Sequence, residues 1–179
     1  MNFEEELTGY VSIGDQFPDF ELNGVKNGYI TKIKSSDFKG EWFLACSYPL
    51  DFTFVCPTEL KAFNAAYTDF KKLGCNMFWF SIDSEYAHLK YISEIGPLHF
   101  PLVSDMDREL SEELNILSPN GMTYRSTFLV DPTGTIRHIS ITDNSVGRSV
   151  AEAMRLLQAF QTDGLCACDW QPGDANLEG

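Results

Sequence analysis

Nowhere in its 179 residues does the sequence string together close to eighteen apolar positions, so no membrane-spanning helix is expected. Basic residues are scarce: 13 Lys and Arg stand against 26 Asp and Glu, a formal net charge of −13. A chain this acidic has little with which to neutralise phosphates, which argues against nucleic-acid binding and against adhesion to anionic membranes. The opening stretch "MNFEEELTGY" lacks the apolar core of a secretory signal. C-x-x-C is missing as well: Cys46, Cys56, Cys75, Cys166 and Cys168 include no pair at that spacing. His88, His99 and His138 form no cluster, and the C-x-C at 166–168 is not the usual structural spacing, so no zinc site is expected. An odd cysteine count in a chain of this length does not resemble a secreted disulfide framework. With neither a signal nor a membrane span read from the sequence, the chain is expected in the cytosol, where disulfides are usually transient and catalytic.

With 44% apolar and 13% aromatic residues, the chain can bury a substantial single-domain core. "FPDFEL" (17–22) and "YITKIK" (29–34) read as strands separated by a Gly/Asn loop, and "WFLACSY" (42–48) as a strand buried on both faces. Pro57 then suits a first helical turn, and Leu60, Phe63, Tyr67 and Phe70 mark one face of a helix closed by Lys71, Lys72 and Gly74. Strands are expected at 76–83 and 100–105, with helices at 84–93 and 107–115. A hairpin is expected over 124–142, turning at Asp131-Pro132-Thr133-Gly134. Ser149 and Glu152 have capping-box spacing ahead of Val150, Met154, Leu157 and Phe160; from Thr162 the periodicity ends. The alternation implies an α/β or mixed α+β fold with helices on the faces of a sheet. No repeat or linker divides the chain.

Cys56 stands at a strand-to-helix junction in "YPLDFTFVCPTEL" (48–60). The nucleophile of thiol chemistry is the thiolate, which a helix N-terminus or a neighbouring arginine favours. Thr53 offers a hydroxyl three residues earlier, Pro49 could shield the position, and Glu59 falls in the first helical turn, where it could orient an arginine. Position alone leaves a buried structural thiol and a reactive one both open. Cys46 and Cys75 lie in or beside apolar segments and read as core packing.

Pro49, Thr53 and Cys56 in P-x-x-x-T-x-x-C spacing resemble the active-site signature of the peroxiredoxins, and "YPLDFTFVCPTEL" is similar to the typical two-cysteine subgroup, which includes the bacterial alkyl hydroperoxide reductase peroxidase subunit. "FKGEW" (38–42), "FSIDSEYAHLKY" (80–91), "PLVSD" (101–105), "RSTFLVDPTGTIR" (125–137), "VGRSV" (146–150) and "GLCACDWQPG" (164–173) follow in the family's order, so the likeness covers nearly the whole chain.

The resemblance implies a thioredoxin-like α/β fold: a central mixed sheet flanked by helices, with N-terminal strand additions. It implies a peroxidase domain over 1–161 and a C-terminal tail over 162–179. By position, Cys56 matches the peroxidatic cysteine, Arg125 the arginine that activates it, Thr53 and Pro49 the groups that bind and shield the peroxide, and Glu59 and Arg148 their supports. Cys166 matches the resolving cysteine, although the family's following proline is Ala167 here and an extra thiol, Cys168, could substitute for it. The implied activity is reduction of hydrogen peroxide and alkyl hydroperoxides through a Cys56 sulfenic acid, with no cofactor. Implied partners are thioredoxin or a flavoprotein disulfide reductase as electron donor, and a second copy in a head-to-tail homodimer, often five to a ring. Easily over-oxidised members carry a Gly-Gly-Leu-Gly insertion and a C-terminal Tyr-Phe; here the matching stretch is "SEIGPLHFPL" (93–102) and no Tyr-Phe follows, so resistance to over-oxidation is expected. A disulfide reductase of the same fold would want a second thiol within Cys56-Pro57-Thr58-Glu59, and a non-enzymatic holdase would not need Cys56 at all.

Overall fold

The apolar run at 42–48 becomes β3 (Trp42–Ser47), the strand around which the rest is laid. In the computed structural model, which describes residues 9–178, it pairs in parallel with β4 (Cys75–Ser81) and antiparallel with β6 (Arg125–Val130). A short β5 (Leu102–Ser104) continues the sheet beyond β4, and the hairpin of β1 (Glu21–Lys26) and β2 (Tyr29–Lys34) closes that side. At the other side β7 (Ile136–Thr142) folds back on β6, giving seven strands in the order β2-β1-β5-β4-β3-β6-β7. The connections are helical: α1 (Cys56–Lys72), α2 (Glu85–Ile95), the short α3 (Glu109–Glu113), and α4 (Val150–Gln161) after the last strand.

Period-two alternation in β3 and β4 makes two cores. Leu44, Cys46, Met77 and Trp79 face one side, against Leu60, Phe63 and Phe70 of α1, Tyr91 of α2 and Leu157 of α4. Phe43, Ala45, Phe78 and Phe80 face the other, where Phe17 and Phe38 pack their rings at 4.8–6.1 Å from those of Phe43 and Phe78. Each such large side chain contributes roughly 1.5–3 kcal/mol on burial. Cys46 and Cys75 are both in the first core, and burial pushes the Cys46 thiol up to about 11 and Cys75 higher still. Both are therefore thiols rather than thiolates at neutral pH, as their apolar setting suggests.

Most elements fall where the sequence places them, with three differences. The first strand is Glu21–Lys26 rather than 17–22, because only Asn27-Gly28, both with positive φ, form the turn. Gly24 belongs to the strand: a Cβ there would stand 2.8 Å from the Leu102 carbonyl oxygen, so β5 can approach only a glycine. The helix expected at 107–115 is a five-residue turn. Of the box at α4, only half forms: Ser149 Oγ accepts from the Glu152 N–H at 3.2 Å, while the Glu152 carboxylate turns to Arg155.

The two helices that frame the reactive end run parallel. The Arg148 N–H, just before α4, reaches Glu59 in the first turn of α1, and Gln161 at the end of α4 donates to the Leu73 carbonyl at the end of α1 (2.7 Å each). Beyond Gln161 the described chain has no further helix or strand, only an isolated bridge between Leu165 and Leu177. It is pinned by the buried Trp170, whose Nε1 donates to Asp174 O and whose carbonyl accepts from Arg155. The acidic stretch 1–8 lies outside the described residues.

Candidate active site

Val55 ends the loop after β3 and Cys56 opens α1, with Pro57 in the first turn, so the thiol sits at the positive end of a 17-residue helix. Its sulfur is fully buried. The guanidinium of Arg125, first residue of β6, donates from Nη1 to Cys56 Sγ at 3.4 Å and to Glu59 Oε2 at 2.8 Å. Its other face is held by the Asn144 carbonyl, which accepts from Nε at 3.1 Å and Nη2 at 2.9 Å. Glu59 also accepts from Arg148: from the backbone N–H at 2.7 Å and Nε at 2.9 Å on Oε1, and from Nη2 at 2.9 Å on Oε2. Arg148 is fixed in turn by the Ser126 carbonyl at 2.6 Å and by the Trp79 ring, 4.5 Å from its carbon centre.

Burial works against ionisation of Glu59, but hydrogen bonds and charge from Arg148, with Arg125 behind, outweigh it and hold the carboxyl below its usual range. Two buried guanidiniums face one carboxylate, which leaves one positive charge in excess beside the sulfur. A thiolate at Cys56 balances that excess; a neutral thiol does not. The same guanidinium can stabilise negative charge that develops on an oxygen brought up to the sulfur.

Pro49 and Thr53 lie in the loop that leads to Cys56, Pro49 buried and Thr53 partly exposed. Thr53 donates its hydroxyl hydrogen to the Leu50 carbonyl at 3.0 Å, so towards a substrate it has lone pairs to offer. Six of the eight residues singled out by sequence are thus gathered at one end of α1. Cys166 and Cys168 are not among them. Cys166 Sγ rests by the Ala159 carbonyl (3.6 Å) and Thr162 Oγ1 (3.5 Å), at the far end of α4, and Cys168 is exposed. Twelve helical residues separate the two ends, on the order of 20 Å. Within one chain the thiols are therefore far out of bonding range.

Sequence reasoning missed Asn144, which acts through its backbone carbonyl, a group every residue carries. It also missed Asp51 and His88, buried under the loop. Asp51 is within the signature stretch, and a lone histidine on the apolar side of α2 was the available signal for the other.

The AhpC/TSA family profile matches residues 13–139. The chain is 43% identical to peroxiredoxin-2 of Macaca fascicularis, over 96% of this chain and 92% of that protein. It is 40% identical to alkyl hydroperoxide reductase C of Mycobacterium tuberculosis, over 94% of each. Among solved structures, the reduced 2-Cys peroxiredoxin of Plasmodium vivax superposes with a TM-score of 0.89 at 30% identity, covering 93% of this chain and 92% of that one. The M. tuberculosis AhpC structure gives 0.83 at 39% identity, covering 90% and 99%.

Proposed function

We propose, from the premise that this chain belongs to the AhpC/TSA family and has the thioredoxin-like fold and thiol peroxidase chemistry of its peroxiredoxin relatives, that Cys56 is the thiol that reacts with peroxide. The observation that carries this reading is the Arg125 guanidinium, shared between the Cys56 sulfur and Glu59. The Cys56 thiolate attacks one oxygen of ROOH along the O–O bond. An S–O bond forms, the O–O bond breaks with its electron pair on the departing oxygen, and a proton completes water or an alcohol. Arg125 stabilises the departing charge, Thr53 and Pro49 position and shield the peroxide, and Glu59 and Arg148 hold Arg125. Cys56 is left as a sulfenic acid.

A second thiol then condenses with that acid, releasing water and leaving a disulfide. We assign this role to Cys166, in a tail over 162–179 distinct from the peroxidase domain over 1–161. The separation of the two ends of α1 and α4 favours a Cys166 supplied by a second copy. The outer edge of β7 carries no pairing strand among the described residues, which suits edge-to-edge dimerisation. Phe52, Phe54 and Tyr86 expose 52%, 96% and 70% of their surface beside the site, which suits further assembly of dimers into a ring. An external dithiol, thioredoxin or a flavoprotein disulfide reductase, returns the disulfide to two thiols. The place of work we propose is the cytoplasm, where such donors act; among the described residues no helix is long and apolar enough to cross a membrane.

Peroxide consumption coupled to thioredoxin tests the assignment of the tail. Cys166→Ser is expected to stop turnover after one equivalent of peroxide, while Cys168→Ser keeps cycling. The reverse pattern would make Cys168 the resolving thiol. Residues 96–101, which join α2 to β5, meet α1 at Asn64, in mid-helix, and carry no Gly-Gly-Leu-Gly insertion that could brace its first turn. Conversion of Cys56 to sulfinic acid is therefore expected only at peroxide in large excess over the protein. Mass spectrometry showing it at near-stoichiometric peroxide would contradict this.

A further inference from the structure

Under the loop that carries Thr53 lies a buried group of ionisable side chains that the thiol chemistry does not use. Asp51, five residues before Cys56, and His88 of α2 are both buried. Asp51 Oδ2 is 2.8 Å from His88 Nδ1, its Oδ1 accepts from the Tyr48 hydroxyl at 2.6 Å, and its backbone N–H donates to Asp83 Oδ2 at 2.9 Å. The other imidazole nitrogen, Nε2, is 3.0 Å from the Val103 carbonyl on β5.

Counting protons over these contacts decides their charge. A carbonyl only accepts, so Nε2 carries a hydrogen. In a neutral ring Nδ1 would then be a bare acceptor 2.8 Å from a carboxylate oxygen that is also an acceptor, and the Tyr48 hydroxyl, 3.4 Å away, does not relieve it, because its one hydrogen goes to Asp51 Oδ1 at 2.6 Å. One more proton is needed between them. An imidazole is intrinsically more basic than a carboxylate, and the Tyr48 hydroxyl already donates to Asp51, so the proton resides on the ring. Tyr48 is fit for this: burial first, then the Asp51 charge, keep its phenol protonated. Around the pair, Tyr48 and Asp51 come from the end of β3 and its loop, Asp83 from the turn before α2, and Tyr91 from α2 one turn beyond His88. The Tyr91 hydroxyl is buried with no hydrogen-bond partner among the described residues.

We infer that His88, as an imidazolium, and Asp51 form a charged latch that fixes the peroxidatic loop to α2 and β5, and that its strength sets how fast the Cys56 sulfenic acid leaves its pocket for Cys166. The inference rests on the reading of Cys56 given above. Condensation with a thiol about 20 Å distant, or on a second copy, requires the first turn of α1 and the preceding loop to come away from the sheet. That loop includes Phe52 at φ +58°, a conformation a bulky side chain adopts only when its surroundings impose it. The contacts through Asp51 impose it, and they break when the loop leaves. His88 thereby acts on the reaction as a positioning residue without touching peroxide.

Asp51→Asn isolates the charge. The amide oxygen can still accept from Tyr48, the amide N–H₂ can donate to Nδ1, and Nε2–H can still donate to Val103, so every hydrogen bond survives with a neutral ring. Charge-assisted bonds are roughly twice as strong as neutral ones. In single-turnover stopped flow, the ratio of the disulfide-forming rate to the peroxide-reaction rate is expected to rise about five- to tenfold in the variant. In the reduced wild type, nitrogen NMR near neutral pH is expected to show both His88 ring nitrogens protonated, with signals that move when the disulfide forms. A single neutral tautomer, or a ratio unchanged within about twofold or lowered in Asp51→Asn, would overturn the latch. The wild-type spectrum needs no variant to fold. Failure of the Cys56 reading would show differently, as no thiol loss on adding peroxide whatever the state of His88.

Discussion

Cys56→Ser is expected to remove peroxide consumption, by at least on the order of a thousandfold, the scale at which enzymes lose activity with their nucleophile. The substitution changes one atom in a buried position and leaves α1, Arg125 and Glu59 in place. What disappears is a polarisable nucleophile that ionises at accessible pH; a serine hydroxyl with no general base beside it stays protonated. Both ring nitrogens of His88 are engaged, by Asp51 and the Val103 carbonyl, and the carboxylate at the site, Glu59, is held by two arginines. Loss of peroxide measured at enzyme-stoichiometric amounts, with circular dichroism to verify the fold, gives the answer without any reductant. A variant keeping more than about 1% of the wild-type rate would remove Cys56 from the chemistry and point to the tail thiols instead.

The parts of this architecture that were legible in the sequence are those governed by short-range patterns. Leu60, Phe63 and Phe70 recur at helical spacing and all three are buried against the sheet; Gly74 has the positive φ expected after a helix end. The Asp131–Gly134 turn closes with the expected Gly134 N–H to Asp131 carbonyl bond at 2.9 Å. Pattern failed where tertiary contact decides. Gly24 and Gly28 look alike in "NGVKNG", yet one is a turn and the other a point of close approach to β5, and only the position of Leu102 distinguishes them. The site is the extreme case. Glu59 and Arg148 are 89 positions apart and Arg125 and Cys56 are 69 apart, so no spacing rule joins them. Their meeting was anticipated through resemblance to a family rather than through periodicity. Asp51 and His88, 37 positions apart, show the limit of both routes: local pattern made one a loop residue and the other a helix residue, and the proton they share is visible only in three dimensions.

Glu59→Ala is expected to be the most destabilising single change at the site. The carboxylate accepts four hydrogen bonds from Arg125 and Arg148 in a setting that water does not reach. Its removal leaves two guanidiniums facing each other with their charges unopposed, a loss on the scale of ~3–5 kcal/mol for a broken buried ion pair. For a chain of this size that lowers the unfolding midpoint by roughly 10 °C at fixed protein concentration. The pH dependence identifies the cause. The folded-state pKa of Glu59 is held below its usual value, so its contribution is complete at pH values above the unfolded-state pKa of about 4.3 and is lost as pH falls through the folded one. The stability gap between wild type and Glu59→Ala should accordingly be full at neutral pH and shrink in acid. A gap of equal size at both ends would mean that the side chain contributes packing volume and not charge. Activity should follow a different course. Arg125 would keep its two bonds to the Asn144 carbonyl but lose the anchor that directs Nη1 to the sulfur, so the peroxide step slows even at temperatures where the variant is fully folded. Glu59→Gln separates the two effects: it restores volume and two of the acceptor contacts without the charge, and should recover part of the stability while the peroxide step stays slow.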